Sequence, residues 1–104
     1  MRFSLSAYLG FMERDIERYF VKRIEALGGR AYKFVSTNNR GVYDRVVVLP
    51  NGRIWFVELK APTGRLSKLQ EKFRDDVTAL GAKSAVLYSK DAVDDFIFML
   101  GVSE

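Results

Sequence analysis

Residues 41–60 read Gly-Val-Tyr-Asp-Arg-Val-Val-Val-Leu-Pro-Asn-Gly-Arg-Ile-Trp-Phe-Val-Glu-Leu-Lys, and this stretch decides the fold. The runs 43–49 and 54–60 are rich in β-branched and aromatic residues, as strands are, and Pro50-Asn51-Gly52 lies between them. A two-residue Asn51-Gly52 turn would require a backbone N–H from position 50, which proline lacks. A three-residue loop instead takes Pro50 and Asn51 as the central residues of a type I turn, with Gly52 left-handed. Leu49 then pairs with Arg53, and Asp44 falls directly across from Glu58. Facing residues share a sheet face with Cβ atoms about 5 Å apart, and Lys60, two residues beyond Glu58, shares that face. Two facing carboxylates repel unless a cation lies between them. Asp44 and Glu58 therefore read as a clamp for a hard divalent cation, with Lys60 placed to orient or deprotonate an attacking water or to neutralise charge on a phosphate. The alternative is a solvated hairpin end with an ordinary cross-strand charge cluster.

Upstream, Met12, Ile16, Phe20, Ile24 and Leu27 form one stripe of a helix that Gly28-Gly29 ends. Residues 3–11 alternate apolar and polar, which predicts an extended arm or a helix starting as early as Ser4 or Ser6. A strand over 31–36 follows, then a polar loop through Gly41. Downstream, Ala61-Pro62-Thr63-Gly64 breaks the chain. Leu66, Leu69, Phe73, Val77 and Leu80 mark a second helix closed by Gly81, 84–88 reads as a fourth strand, and Asp91 is expected to cap a last helix turning Val93, Phe96, Ile97 and Leu100 inward. The order is αβββαβα, one α/β domain over residues 1–104.

Seventeen basic against thirteen acidic residues leave a net charge of +4, and 48% hydrophobic residues among 104 supply a core. With no Cys and no His, disulfides, thiol nucleophiles, imidazole-dependent triads and the usual zinc sites are excluded. No apolar run reaches the length of a membrane span and no signal peptide is visible, so a soluble intracellular protein is expected. The positive balance favours an anionic partner. Arg40, Arg45, Arg53, Arg65, Lys68 and Lys72 are expected to cluster in loops or at the second helix's start, beside the proposed site, where they would hold phosphates without reading bases, and Lys33, a basic residue in an otherwise apolar strand, could reach the scissile phosphate. A soluble charged surface is the alternative for these residues.

Gly41-Val42-Tyr43-Asp44, followed after thirteen residues by Glu58-Leu59-Lys60, resembles the PD-(D/E)xK nuclease superfamily. The run Phe56-Val57-Glu58-Leu59-Lys60-Ala61-Pro62, with Gly64, Leu66-Ser67 and Gln70 after it, is similar to the VRR-NUC family of virus-type replication and repair nucleases. Tyr43 departs from the proline usual there, at a position that sets the Asp44 strand. The resemblance implies a restriction-endonuclease-like αβββαβ core with a mixed four-stranded sheet, to which the last helix is added.

The resemblance further implies that Asp44, Glu58 and the Leu59 carbonyl hold Mg²⁺ or Mn²⁺, that Lys60 assists the nucleophilic water, and that a first-helix carboxylate joins them. Glu17 is the favoured carboxylate and Glu13 its rival. Gln70 is implied near Lys60, although Ser67-x-x-Gln70 also spells a capping box. The expected function is a metal-dependent endodeoxyribonuclease that leaves a 5′-phosphate, of Holliday-junction-resolving type, from a phage or prophage in a bacterial cytoplasm. A flap or restriction-like nuclease, or a non-enzymatic DNA-binding module, are the alternatives. Apolar surplus at Phe3, Leu5, Leu9, Phe11, Phe98 and Met99 predicts a symmetric homodimer, whose two sites would match the two-fold relation of a four-way junction.

Overall fold

The turn chemistry at Pro50 sets the sheet's register. The computed structural model describes residues 4–35, 38 and 41–102. These form α1 (Leu5–Ala26), β1 (Arg30–Lys33), β2 (Arg45–Val48), a single 3-10 turn (Pro50–Gly52), β3 (Ile54–Leu59), α2 (Lys68–Ala79), β4 (Ser84–Leu87) and α3 (Lys90–Val102). In the β2–β3 hairpin Arg45 faces Val57 and Val48 faces Ile54, and the Leu49 N–H donates to the Arg53 carbonyl at 2.8 Å. The loop thus has three residues, and Gly52 N–H closes it onto the Leu49 carbonyl at 3.1 Å. Its inner geometry differs from the expected type I turn. Asn51 has φ 69° and Gly52 φ 75°, so the second central residue is left-handed as in type II, a conformation Asn tolerates. The residue count, which sets the register, is unchanged.

The sheet order is β1-β2-β3-β4, antiparallel from β1 to β3 and parallel between β3 and β4, with α2 as the crossover. Alternation divides its faces. Val47, Leu49, Val57 and Leu59 turn towards α1 and α3, where Ile16, Phe20 and Ile24 meet Val93, Phe96, Ile97 and Leu100 in the main core. The Trp55 ring meets Phe96 edge-on at 5.1 Å on that side. The opposite face carries Phe56 and Glu58 and is covered more thinly. Phe73 of α2 stacks its ring 5.4 Å from Phe56 and 5.0 Å from Tyr43, and α2 has no fully buried residue.

The helix ends follow local hydrogen bonding, with two corrections. Ser4 Oγ accepts the Ala7 N–H at 3.1 Å, so the helix begins at Leu5 and the extended arm does not form. Phe3 lies outside the described residues. At the other end Gly28 takes φ 85°, and the N–H groups of Gly28 and Gly29 return to the Glu25 and Ile24 carbonyls, the two bonds of a Schellman cap. On α3 the cap is Ser89, whose Oγ accepts the Ala92 N–H at 3.0 Å; Asp91 lies inside the first turn. Both residue types cap well, and the earlier one is in register with the helix.

Phe20 is fully buried with its ring 6.1 Å from Phe96, tying α1 to α3. Phe20→Ala should cost about 3–5 kcal/mol through lost burial and the cavity left behind, a large part of the 5–15 kcal/mol typical of a domain. Urea denaturation measures it, and a loss under about 1 kcal/mol would show that the α1–α3 layer is not the main core.

Candidate active site

Glu58 lies in an inner strand with partners on both sides, and among the described residues it is the buried charged side chain, 4% exposed. On the β4 side it faces Val86. On the β2 side the ladder runs on past the regular strand: Phe34 N–H donates to the Asp44 carbonyl at 2.6 Å, and Asp44 N–H donates to Glu58 Oε1 at 3.1 Å. Lys60 Nζ stands 3.4 Å from Glu58 Oε2, and the Lys60 N–H is fixed to the Leu87 carbonyl at 3.0 Å. Asp44, Glu58 and Lys60 are therefore brought together at the end of the sheet in the arrangement the hairpin register predicts.

Electrostatics mark Glu58 as strained in its charged form. Burial pushes its carboxyl above the ordinary glutamate range, and the neighbouring Asp44 charge adds to this, while the Asp44 N–H and the Lys60 ammonium pull the other way without cancelling it. Beside it, Gly41 allows the loop into β2 to run against α2: a Cβ there would meet the Leu69 carbonyl oxygen at 2.2 Å. Tyr43 fills the space under α2, fully buried, and among the described residues its hydroxyl has no hydrogen-bond partner. Burial raises its pKa.

The other expected site residues are placed as follows. Glu17 does not point at the Asp44–Glu58 pair: it is ion-paired with Arg45, whose other guanidinium nitrogen donates to the Ala31 carbonyl at 2.9 Å. Arg45 is one residue beyond Asp44, so alternation turns it to the α1 face. Glu13 lines a separate groove of about 230 Å³ together with Lys60, Ala61, Gly64 and Arg65. Of the two helix carboxylates it is thus Glu13 that shares a cavity with Lys60. Gln70 completes the capping box, accepting the Ser67 N–H at 3.0 Å while Ser67 Oγ accepts the Gln70 N–H at 3.1 Å. Lys33 lies exposed on edge strand β1, directly opposite Arg45.

Lys68 and Lys72 are exposed on α2, and Lys72 is paired with Asp76 at 2.7 Å. Arg53 lies at the far end of the hairpin, donating to the Leu100 carbonyl at 2.9 Å, and so is not beside the site. Arg40 lies outside the described residues. The Glu17–Arg45 pair and the close approach at Gly41 went unread in the sequence. The signal for the first was a cation directly after Asp44, which alternation must send to the helix side.

The sheet order and its carboxylate-lysine end are those of an α/β nuclease domain. The chain belongs to the VRR-NUC family, whose domain model matches residues 11–91. It is 47% identical over 79 residues to a protein named "Putative nuclease p44" from Acyrthosiphon pisum secondary endosymbiont phage 1, covering 76% of this chain and 85% of that one. A solved structure described as a VRR_NUC domain superposes with a TM-score of 0.79 at 33% identity, covering 84% of this chain and 95% of its own. Among the described residues no helix is long and apolar enough to cross a membrane.

A glutamate whose pKa is raised by folding makes the fold less stable as pH rises from its unfolded value through its folded one. Glu58→Gln keeps the shape and removes that charge. In a chelator at pH 8 the variant should melt at a higher temperature than the parent, and the difference should vanish near pH 4. Thermal denaturation at the two pH values checks this. A variant melting at or below the parent at pH 8 would mean that Lys60 and the Asp44 N–H fully compensate the buried charge.

Proposed function

We propose that the chain is a Mg²⁺- or Mn²⁺-dependent DNA endonuclease that acts on branched, Holliday-junction-type DNA as a homodimer. The observation that carries this reading is the Asp44 backbone joined to the buried Glu58 carboxylate at 3.1 Å, with Lys60 Nζ 3.4 Å from the same carboxylate. The donor set fits a hard cation, since Asp44, Glu58 and the Leu59 carbonyl offer oxygen only and the chain has neither thiol nor imidazole. Among the described residues no group of three or more acidic side chains gathers into a cation site. Two carboxylates with water and phosphate oxygens in the remaining positions suit Mg²⁺, which gives up its hydration shell reluctantly. When bound, such a cation neutralises charge on the phosphate and eases deprotonation of water.

The chain's own groups do the rest. Lys60 Nζ is placed to hold the attacking water or to balance charge on the phosphate oxygens, and its contact with Glu58 fixes where it can reach. Arg65, across the groove shared with Lys60, and Lys68 at the start of α2 are placed to hold backbone phosphates nearby. The dimer reading rests on apolar exposure. Leu5, Tyr8 and Phe11 are 72%, 55% and 61% exposed on the first turns of α1, and Phe98 is 73% exposed on α3. A second copy is the occupant that also makes functional sense, because the two sites of a two-fold dimer match the two-fold relation of a four-way junction.

Cleavage of supercoiled plasmid and of a synthetic four-way junction, with Mg²⁺ and with chelator, tests the chemistry. Asp44→Asn and Glu58→Gln should abolish Mg²⁺-dependent cleavage while DNA binding persists, and Lys60→Ala should lose about a hundredfold or more, the scale of a preorganised transition-state group. Full activity in either carboxylate variant would overturn the site assignment. Light scattering at micromolar concentration should give the mass of two chains, and the mass of one would overturn the dimer and move the substrate towards flaps or simple nicks.

A further inference from the structure

A second basic surface runs along α1, on residues of that helix not assigned so far. Arg14, Arg18 and Lys22 recur every fourth residue on its exposed side and line a groove of about 500 Å³ with Lys33 and Arg45 on the opposite wall. Four-residue steps at 1.5 Å rise put the three α1 cations about 6 Å apart, a row of about 12 Å. Glu17 and Glu25 also line the groove, but Glu17 is spent on Arg45. Among the described residues none of Arg14, Arg18, Lys22 and Lys33 forms an ion pair. By contrast Lys72 is paired with Asp76, Arg74 with Asp75 and Lys90 with Asp15. The groove thus gathers on one track four cations that have no ion-pair partner among the described residues.

The groove adjoins the site along the chain, although Arg45 itself faces α1. Arg45 is the residue after Asp44, Lys33 faces Arg45 across the β1–β2 ladder, and Arg14 follows Glu13, which lines the groove holding Lys60 and Arg65. Resting on the DNA-cleaving reading above, we infer that the α1 groove holds the sugar-phosphate backbone of a duplex DNA arm beyond the cut. Arg14, Arg18 and Lys22 form one wall of that track and Lys33 the other. B-form DNA places a phosphate every 3.4 Å of axis on each strand, so a row of about 12 Å spans three to four of them. A flexible row of exposed cations with no donor to a base edge fixes register without reading sequence.

The test is fluorescence anisotropy of the full chain in chelator with a 30-base-pair duplex, titrated with salt from 50 to 200 mM. Each phosphate contact contributes about 0.9 to the slope of log affinity against log salt. The triple variant Arg14→Ala, Arg18→Ala, Lys22→Ala should lower that slope by about 2–3 and weaken binding tenfold or more at 100 mM salt. Lys33→Ala alone should lower it by about 1. A control that removes the same net charge elsewhere, Arg30→Ala, Lys83→Ala, Lys90→Ala, should change the slope by less than 1. Circular dichroism should show parental helix content in every variant. A parental slope in the triple and Lys33 variants, or an equal loss in the control, would overturn the groove. Loss of binding in the α1 triple variant together with no Mg²⁺-dependent cleavage by the parent would overturn the nuclease reading and leave the groove standing. Cleavage that needs Asp44, with an unaltered slope in the α1 triple and Lys33 variants, would overturn the groove alone.

Discussion

Burying the Glu58 carboxylate in an inner strand, opposite a second acid, is the constraint on which the rest of the structure depends. An ionised carboxylate out of water costs several kcal/mol unless it is compensated, and here the Asp44 N–H and Lys60 compensate it only in part. The remainder must be carried by packing elsewhere. It is carried on the opposite face of the same sheet, where Val57 and Leu59, the neighbours of Glu58, turn into the core formed by α1 and α3. One strand thus anchors the fold with alternate residues and presents an unfavourable charge with the others. This alternation works only in one register, because a slip of one residue would send Glu58 into the core and Val57 into the cleft.

The α2 face has the opposite character. It is thin, and its order comes from a few close contacts: Phe73 between Phe56 and Tyr43, the Ser67–Gln70 box at the helix start, and Gly41 against the Leu69 backbone. Tyr43 stands where the family resemblance leads one to expect proline. A proline would restrict the chain entering β2 through its fixed φ; the tyrosine restrains it with a fully buried ring, leaving its hydroxyl inside with no partner among the described residues. The two residues solve one problem, holding the Asp44 backbone against Glu58, by different means.

Much of this was legible because it is local. Proline's missing N–H excluded the two-residue turn, the loop length set the register, and the register brought Asp44 to Glu58, a chain of inference that never leaves residues 44–58. The apolar stripe at Ile16, Phe20 and Ile24 located α1 for the same reason. The misreadings mark where local rules are degenerate. Apolar residues at 5, 7, 9 and 11 fit a strand's period, and only the Ser4 cap and the following helical stripe decide for helix. Ser89 and Asp91 are both good caps. Asn51 tolerates either hand. The partner of Glu17 was hidden for a different reason: it depends on the rotation of α1 over the start of β2, a tertiary quantity with no signature in spacing.

Charge accounting at the sheet's end shows what a bound cation would change there. Asp44 and Glu58 bring two negative charges and Lys60 returns one, so the site itself is net negative where a phosphodiester, also an anion, has to approach. Arg65 shares a groove with Lys60, but the other cations are engaged or face elsewhere. Arg45 is engaged by Glu17 and the Ala31 carbonyl, Lys33 is on an edge strand, and the α1 row lies along the groove beyond. Such charges attract a polyanion over a Debye length of about 8–10 Å in physiological salt, yet the last few ångströms are governed by the nearest groups. A divalent cation between the two carboxylates would reverse the sign of the site from net negative to net positive. It would also offset the burial that chiefly raises the Glu58 pKa and the Asp44 charge that adds to it. On the proposed reading the distant basic track and the acidic site would be complementary, the track steering the polymer in and the acidic pair holding the charge that would let a phosphate make contact.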